Sequence, residues 1–411
     1  MNKPELVCPA GDWSSMITAV DSGADSVYFG VKGINMRARA NNFDILELKK
    51  LTDYLHVRKK KGFLALNTII KDPELSKVEK ILLEAKKAEV DAVILSDMSV
   101  LKMAKEIGLK PHLSTQASVS NAKAVSFFSE LGVKRIVLAR ECTLEDQNNI
   151  IQYIKKNDIP CEIEAFIHGA MCVSVSGRCF LSLHTFGKSG NQGECMQPCR
   201  REYTITEKND RGYGKEAEYI LGSDYVMSPQ DLCTIDFIDK IIDTGIHSLK
   251  IEGRMRSKEY VRMVVSTYRK AIDLHFEKKL SNEIKKNYKK DLGTVYNRGF
   301  SEGFYFGRPF NWMSSKLENK NEKVFIGDIT NYFKKIGVAE VLIRYKELTK
   351  GDKIFISGKK TPGQFTIAEE LQMEHKVVNK ATRGELVALK VPFRVRINDK
   401  IYLWREKNHN N

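Results

Sequence analysis

No apolar run in this sequence approaches the roughly 18 residues that a membrane-crossing helix needs. Its first residues, Met1-Asn2-Lys3-Pro4-Glu5, lead straight into a strand-like segment without the apolar core of a secretory leader. These absences predict a cytoplasmic protein with no membrane contact. Internal repeats and long low-complexity tracts are missing as well. There is no G-x-S-x-G elbow and no H-E-x-x-H zinc motif, which removes two common hydrolase arrangements. A C-x3-C-x2-C run is also absent, which disfavours radical S-adenosylmethionine chemistry, since its cluster typically uses three cysteines in that spacing. Acidic residues are the scarcer charge: 67 Lys+Arg face 52 Asp+Glu, a net +15 over 411 residues. A surplus of that size favours polyanionic partners, because Lys and Arg contacts to phosphate supply most non-specific nucleic-acid affinity.

What is present centres on one stretch, 164–203, which holds four of the eight cysteines: Cys172, Cys179, Cys195 and Cys199. Gly177, Gly187, Gly190 and Gly193 lie among them, and Pro198 precedes the last. Such residues let a loop fold back and bring thiols together. Buried core cysteines are one reading. Disulfides are disfavoured in a reducing compartment. A metal centre is the third reading. Structural zinc prefers close pairs, and only Cys195 and Cys199 are that close. Iron–sulfur clusters tolerate wider spacing. Spacing alone leaves zinc and a cluster both open. Of the other cysteines, Cys8 is a minor second candidate near the expected site, while Cys161, Cys142 and Cys233 read as structural.

Along the chain, short apolar runs alternate with amphipathic stretches. Strands are expected at 5–9, 26–29, 62–67, 92–96, 112–114, 135–138, 162–166 and 247–251. Helices are expected at 14–22, 44–60, 77–87, 98–107, 122–131 and 144–155 between them. This alternation predicts βα units and a parallel sheet. Eight strands favour a (β/α)8 TIM-like barrel, with an open doubly wound sheet as the alternative. The barrel spans 1–276 and carries the cysteine-rich insertion at 168–203. In such a barrel the reactive groups follow strand C-termini. Asn35, Arg37, Asn67, Asp97, Thr115, Gln116, Arg140, Glu141, His168, Glu252 and Arg254 occupy those places. Ser228-Pro229-Gln230-Asp231 reads as a helix start, and 257–276 as a long basic amphipathic helix. A helical and aromatic linker is expected over 277–322, where 296–307 either covers the barrel mouth or packs against it. Residues 323–411 read as six short strands at 324–329, 336–345, 352–357, 372–378, 386–391 and 400–404. They form a small antiparallel β-barrel with a basic surplus, which suits RNA docking or domain packing.

The run 164–182, with Phe166, His168, Gly169, Cys172, Gly177, Arg178, Cys179 and Ser182, resembles the signature of peptidase family U32. Asn191-Gln192-Gly193 leading to Cys195, Cys199 and Arg200 fits it too. So do Lys250-Ile251-Glu252-Gly253-Arg254, Leu6-Val7-Cys8-Pro9-Ala10-Gly11 and Asn297-Arg298-Gly299-Phe300. That family includes collagenase-like peptidases and oxygen-independent hydroxylases of tRNA wobble uridine, of ribosomal RNA cytidine and of a ubiquinone precursor. The resemblance implies that Cys172, Cys179, Cys195 and Cys199 hold a 4Fe-4S cluster, as in the RNA-modifying members. It implies prephenate as hydroxyl donor and tRNA, or alternatively rRNA, as substrate. Prephenate carries two carboxylates, and arginine clamps carboxylates in bidentate fashion. Arg140 and Arg254 are the expected clamps, with Arg37 and Arg178 behind them as further substrate-binding candidates. His168 and Glu252 are the expected proton carriers, with Glu252–Arg254 as a purely structural ion pair the alternative. A peptidase would instead pair one thiol with His168 or His184, which leaves four gathered thiols unexplained.

Overall fold

The computed structural model describes residues 2–38, 40–207, 217–220, 224–309, 313–315 and 321–407. The polar run 207–216 of the insertion lies almost wholly outside them. Eight parallel strands close into a barrel: β1 (Glu5–Pro9), β2 (Ser26–Phe29), β3 (Lys61–Leu66), β4 (Ala92–Leu95), β5 (Pro111–Leu113), β6 (Arg135–Val137), β7 (Glu162–Ala170) and β8 (Ser248–Ile251). Closure comes from Glu5 pairing with Ser248 and Ser248 with Glu164. The (β/α)8 expectation holds, and the open doubly wound sheet is excluded.

Helices α1 (Trp13–Asp21), α2 (Leu48–His56), α3 (Leu75–Lys87), α4 (Met98–Ile107), α5 (Ala122–Glu130) and α6 (Leu144–Lys156) cover the outside. Short polar side chains start them. Asp12 accepts from the Ser15 N–H, Asp97 from Ser99 and Asn121 from Ala124, which satisfies donors the first turn leaves free. Inside the barrel base, Arg135 reaches Glu5, Glu162 and Glu164, and Glu164 also takes Lys250 at 2.7 Å. Burial works against ionising Glu5, but Arg135 outweighs it and holds the carboxyl down at about 2. These paired charges plug the closed end.

Two expectations fail in instructive ways. Residues 228–231 do not start a helix. They fall in strands Asp224–Pro229 and Asp231–Cys233, the second of which pairs antiparallel with the far end of β7. β7 runs four residues past its expected end and offers a free edge. The Asp231 carboxylate, fully buried, is taken by Arg256 and Arg298 rather than by a helix N-terminus. Phe300–Ser301 then adds beside Asp231–Cys233, so the aromatic segment packs along the barrel.

The C-terminal residues form an eight-stranded antiparallel sheet around a separate apolar core that includes Ile326, Val341, Ile354, Leu389 and Leu403. Its edge strands, Gln364–Ile367 and Lys376–Val378, do not pair with each other, so the sheet is a half-barrel. The single strand expected over 372–378 is a hairpin, Leu371–Met373 with Lys376–Val378. Glu374 and His375 both turn through positive φ, the geometry of a two-residue hairpin turn. Ser14, Thr18, Lys258 and Arg262 hydrogen-bond the 358–363 backbone and hold this sheet against the barrel. Among the described residues, no helix is long and apolar enough to cross a membrane.

Candidate functional site

A cavity of about 190 Å³ opens at the C-terminal end of the barrel strands. Its wall includes Arg37, Asn67, Thr115, Gln116, Arg140, Glu252 and Arg254, each just after a barrel strand, and Phe166 and Lys250 from within β7 and β8. The 171–200 loop folds over it and contributes Cys172, Cys179, Cys195 and Cys199 to the same wall. All four thiols are partly buried and free.

Glycines allow that loop to lie so close. Gly193 has φ +87°, and a Cβ there would sit 2.0 Å from the Asn35 carbonyl oxygen. Gly177, at φ +77°, packs against Met36 and Gln116 in the same way. Backbone N–H groups of Leu181 and Gln197 donate to the sulfurs of Cys179 and Cys195, both at 3.4 Å. Arg37 lies near Cys195, Arg140 near Cys172, and Arg200 adjoins Cys199, where its charge favours the thiolate. Burial nevertheless raises the Cys199 thiol. Among the described residues, no three His, Cys, Asp or Glu side chains are grouped tightly enough for a single metal ion. The four thiols share the cavity wall without forming such a group.

Glu252 is nearly enclosed. Its Oε1 accepts from Arg37 at 2.9 Å, and the Tyr28 hydroxyl lies 3.0 Å from Oε2. Burial works against its ionisation, but Arg37, then Arg140 and Arg254, overcome this and hold the carboxyl at about 2. The alternative reading, a structural ion pair of Glu252 with Arg254, is not what forms: Glu252 pairs with Arg37 instead. Arg254 is 5% exposed, burial brings it down to about 10, and its Nη1 has no hydrogen-bond partner. Gly30 makes room for that nitrogen, since a Cβ would sit 2.4 Å away. Arg140 donates to the Ala170 carbonyl at 2.7 Å and lies over the Phe166 ring, yet its buried Nε is likewise unpaired. Both arginines line the cavity, but these two nitrogens are themselves buried, and a buried cationic donor without a partner is costly.

His168 is not in the cavity. Regular alternation would place it beside Phe166, but β8 pairs Lys250 with Phe166 and Ile251 with His168, so one extra residue bulges out of β7 and reverses the side chain. It lies among Tyr260, Tyr268 and Phe300, 3.3 Å from the Tyr268 hydroxyl, and burial drives its pKa down to about 3. Arg178 is exposed and does not line the cavity either. Cys8 is wholly buried in the apolar core. Asp97 caps α4, and Glu141 is exposed. Among the cavity residues that the sequence reading did not propose as site residues are two arginines, Arg200 and Arg298. Arg200 donates to Ser228, Pro229 and Met171, and Arg298 to Asp231 at 3.1 Å. Their only signal was their place within the family motifs.

Known proteins place this architecture. The model of the family described as peptidase family U32 matches residues 11–314. An uncharacterized protease of Methanocaldococcus jannaschii is 40% identical over 408 residues, covering 98% of each chain. A collagenase of Porphyromonas gingivalis is 39% identical over 411 residues, again covering 98% of each. The tRNA hydroxylation protein P1 of Bacillus subtilis is 36% identical over 337 residues, which is 80% of this chain and 78% of that protein. With its family signature, its barrel and its cysteine loop in agreement, the chain belongs to peptidase family U32.

Proposed function

We propose that this protein is an RNA-modifying hydroxylase that holds a 4Fe-4S cluster and adds a hydroxyl to carbon 5 of tRNA wobble uridine, with prephenate as donor. The observation that carries this reading is one cavity shared by four thiols and two buried guanidinium groups with unpaired nitrogens. Cys172, Cys179, Cys195 and Cys199 would supply one thiolate to each iron, and four thiols on the wall of one cavity suit a polynuclear group. A cluster with every iron ligated by protein supplies electron transfer or fixed charge and leaves no open coordination site. The chain's own residues do the positioning. The guanidinium groups of Arg254 and Arg140, both on the cavity wall, would receive the donor's carboxylates. Arg37 keeps Glu252 anionic, with its pKa at about 2, so Glu252 is suited to accept a hydrogen bond from the base but is a weak proton acceptor, which counts against the expected proton-carrying role. Similarity to the tRNA hydroxylation protein and the +15 net charge favour RNA as substrate.

Peptide hydrolysis is the second reading, favoured by the names of two relatives. It requires a thiol paired with a histidine. Among the described residues no histidine lines the cavity: His168 is buried among aromatic rings and His184 is exposed. Nucleoside mass spectrometry separates the readings. Expression in a host stripped of its uridine and cytidine hydroxylases should add one oxygen to a tRNA uridine. An oxygen on an rRNA cytidine would move the substrate to ribosomal RNA, and no gain in either would return the peptidase reading.

A further inference from the structure

We infer that Asn191 and Ser182 fix the cysteine loop in its ligand-bearing shape before any metal group binds. The assignment of the thiols as ligands is that of the preceding section; the ties themselves are independent of it. Asn191 is 7% exposed and Ser182 1%. The Asn191 Oδ1 accepts the Cys179 N–H at 2.8 Å, and the Ser182 Oγ accepts the Met196 N–H at 2.9 Å. These two bonds cross the fifteen-residue gap between Cys179 and Cys195 from opposite ends. One runs from the first thiol's backbone forward to position 191. The other runs from the residue after Cys195 back to position 182. Asn191 also accepts the Ile69 N–H on its own carbonyl at 3.3 Å, which anchors the loop to the segment following β3. Gly193 then lies backbone to backbone on Asn35.

A loop whose shape is supplied by its metal is typically unfolded without it, because ligation provides the folding free energy. Here two buried polar side chains are committed to backbone amides within the loop, and neither is a metal ligand. Their bonds restrict the loop in the apo chain, so less conformational entropy remains to be lost when a metal group is taken up. Asn191 and Ser182 are thus positioning residues, acting through the backbone of Cys179 and of the Cys195 turn.

The test is site-resolved hydrogen exchange on the full-length, iron-free protein under anaerobic conditions, followed by reconstitution with iron and sulfide. The amides of Cys179 and Met196 should each exchange at least about tenfold more slowly than exposed loop amides in the wild-type apo chain. Asn191→Leu should release the Cys179 amide and leave Met196 protected, and Ser182→Ala should do the reverse. Asn191→Asp retains an acceptor oxygen at the same place and should restore both protection and the rate of iron uptake, which Asn191→Leu should lower about tenfold. Unprotected amides in the wild-type apo chain would overturn the proposal, and so would normal iron uptake by a folded Asn191→Leu protein. Protected amides in a wild-type chain that takes up no iron would leave the two ties standing and sink the ligand assignment, which keeps the two failures apart.

Discussion

Arg37 and Glu252 meet at the barrel mouth at 2.9 Å, joining the loops that follow β2 and β8 across 215 residues of sequence. The pair sets the charge state of the site. A carboxyl enclosed this fully would ordinarily be pushed toward neutrality. With Arg37 against one oxygen and the Tyr28 hydroxyl near the other, Glu252 is instead a fixed anion. That leaves Arg254 on the cavity wall without a hydrogen bond to Glu252.

The first prediction follows from that anion. Glu252 titrates near 2 in the folded chain against an ordinary 4.5. Its folded pKa is depressed, so its contribution to stability is fully present above about 4.5 and is lost as pH falls toward 2. Glu252→Gln should flatten this part of the stability curve by about 3 kcal/mol. Urea unfolding from pH 6 down to pH 2 checks it. An unchanged acid limb would detach Glu252 from Arg37.

His168 gives the second. Its pKa is depressed from 6.5 to about 3, so the unfolded chain binds the extra proton between those values, and the fold loses stability as pH drops through that window. At neutral pH the ring is uncharged and out of reach of substrate. His168→Phe should cost about 1 kcal/mol through the lost contact with Tyr268 and change kcat/KM by less than about threefold. A folded variant with a collapse in kcat would return His168 to the chemistry.

Third, the cysteines divide by place. Anaerobically prepared protein should carry about four irons per chain. Cys195→Ala should lose most of this iron. Cys161→Ala should keep it, since Cys161 is a buried core thiol whose pKa burial raises to about 12. Equal iron in both variants contradicts the ligand set.

Fourth, Arg254→Lys should retain fold and iron but lower kcat/KM about 100-fold, because an ammonium cannot reproduce a bidentate fork on a carboxylate. The loss should fall mainly on the dependence on prephenate concentration. Full activity would make Arg254 structural.

Much of this was legible in the sequence because βα alternation leaves a strong periodic signal. Seven of the eleven polar residues expected after the strands line the cavity, from Arg37 to Arg254. The rest depended on features that periodicity does not carry. A single bulged residue in β7 removes His168 from the mouth. The overlong β7 recruits Asp231–Cys233 as a strand, so a helix-start pattern at Ser228 has no helix behind it. Arg200 and Arg298 reach the cavity through long-range partners, Ser228 and Asp231, that no local spacing reveals.

The central claim is tested most directly by an in vitro reaction. Iron-loaded protein would be incubated without oxygen with unmodified tRNA and prephenate, and the uridine of the anticodon digest fragment weighed. A gain of one oxygen, dependent on prephenate and absent with Cys195→Ala, is the predicted result. An unmodified uridine from fully loaded protein, together with cleavage of a collagen peptide by the same preparation, would contradict it.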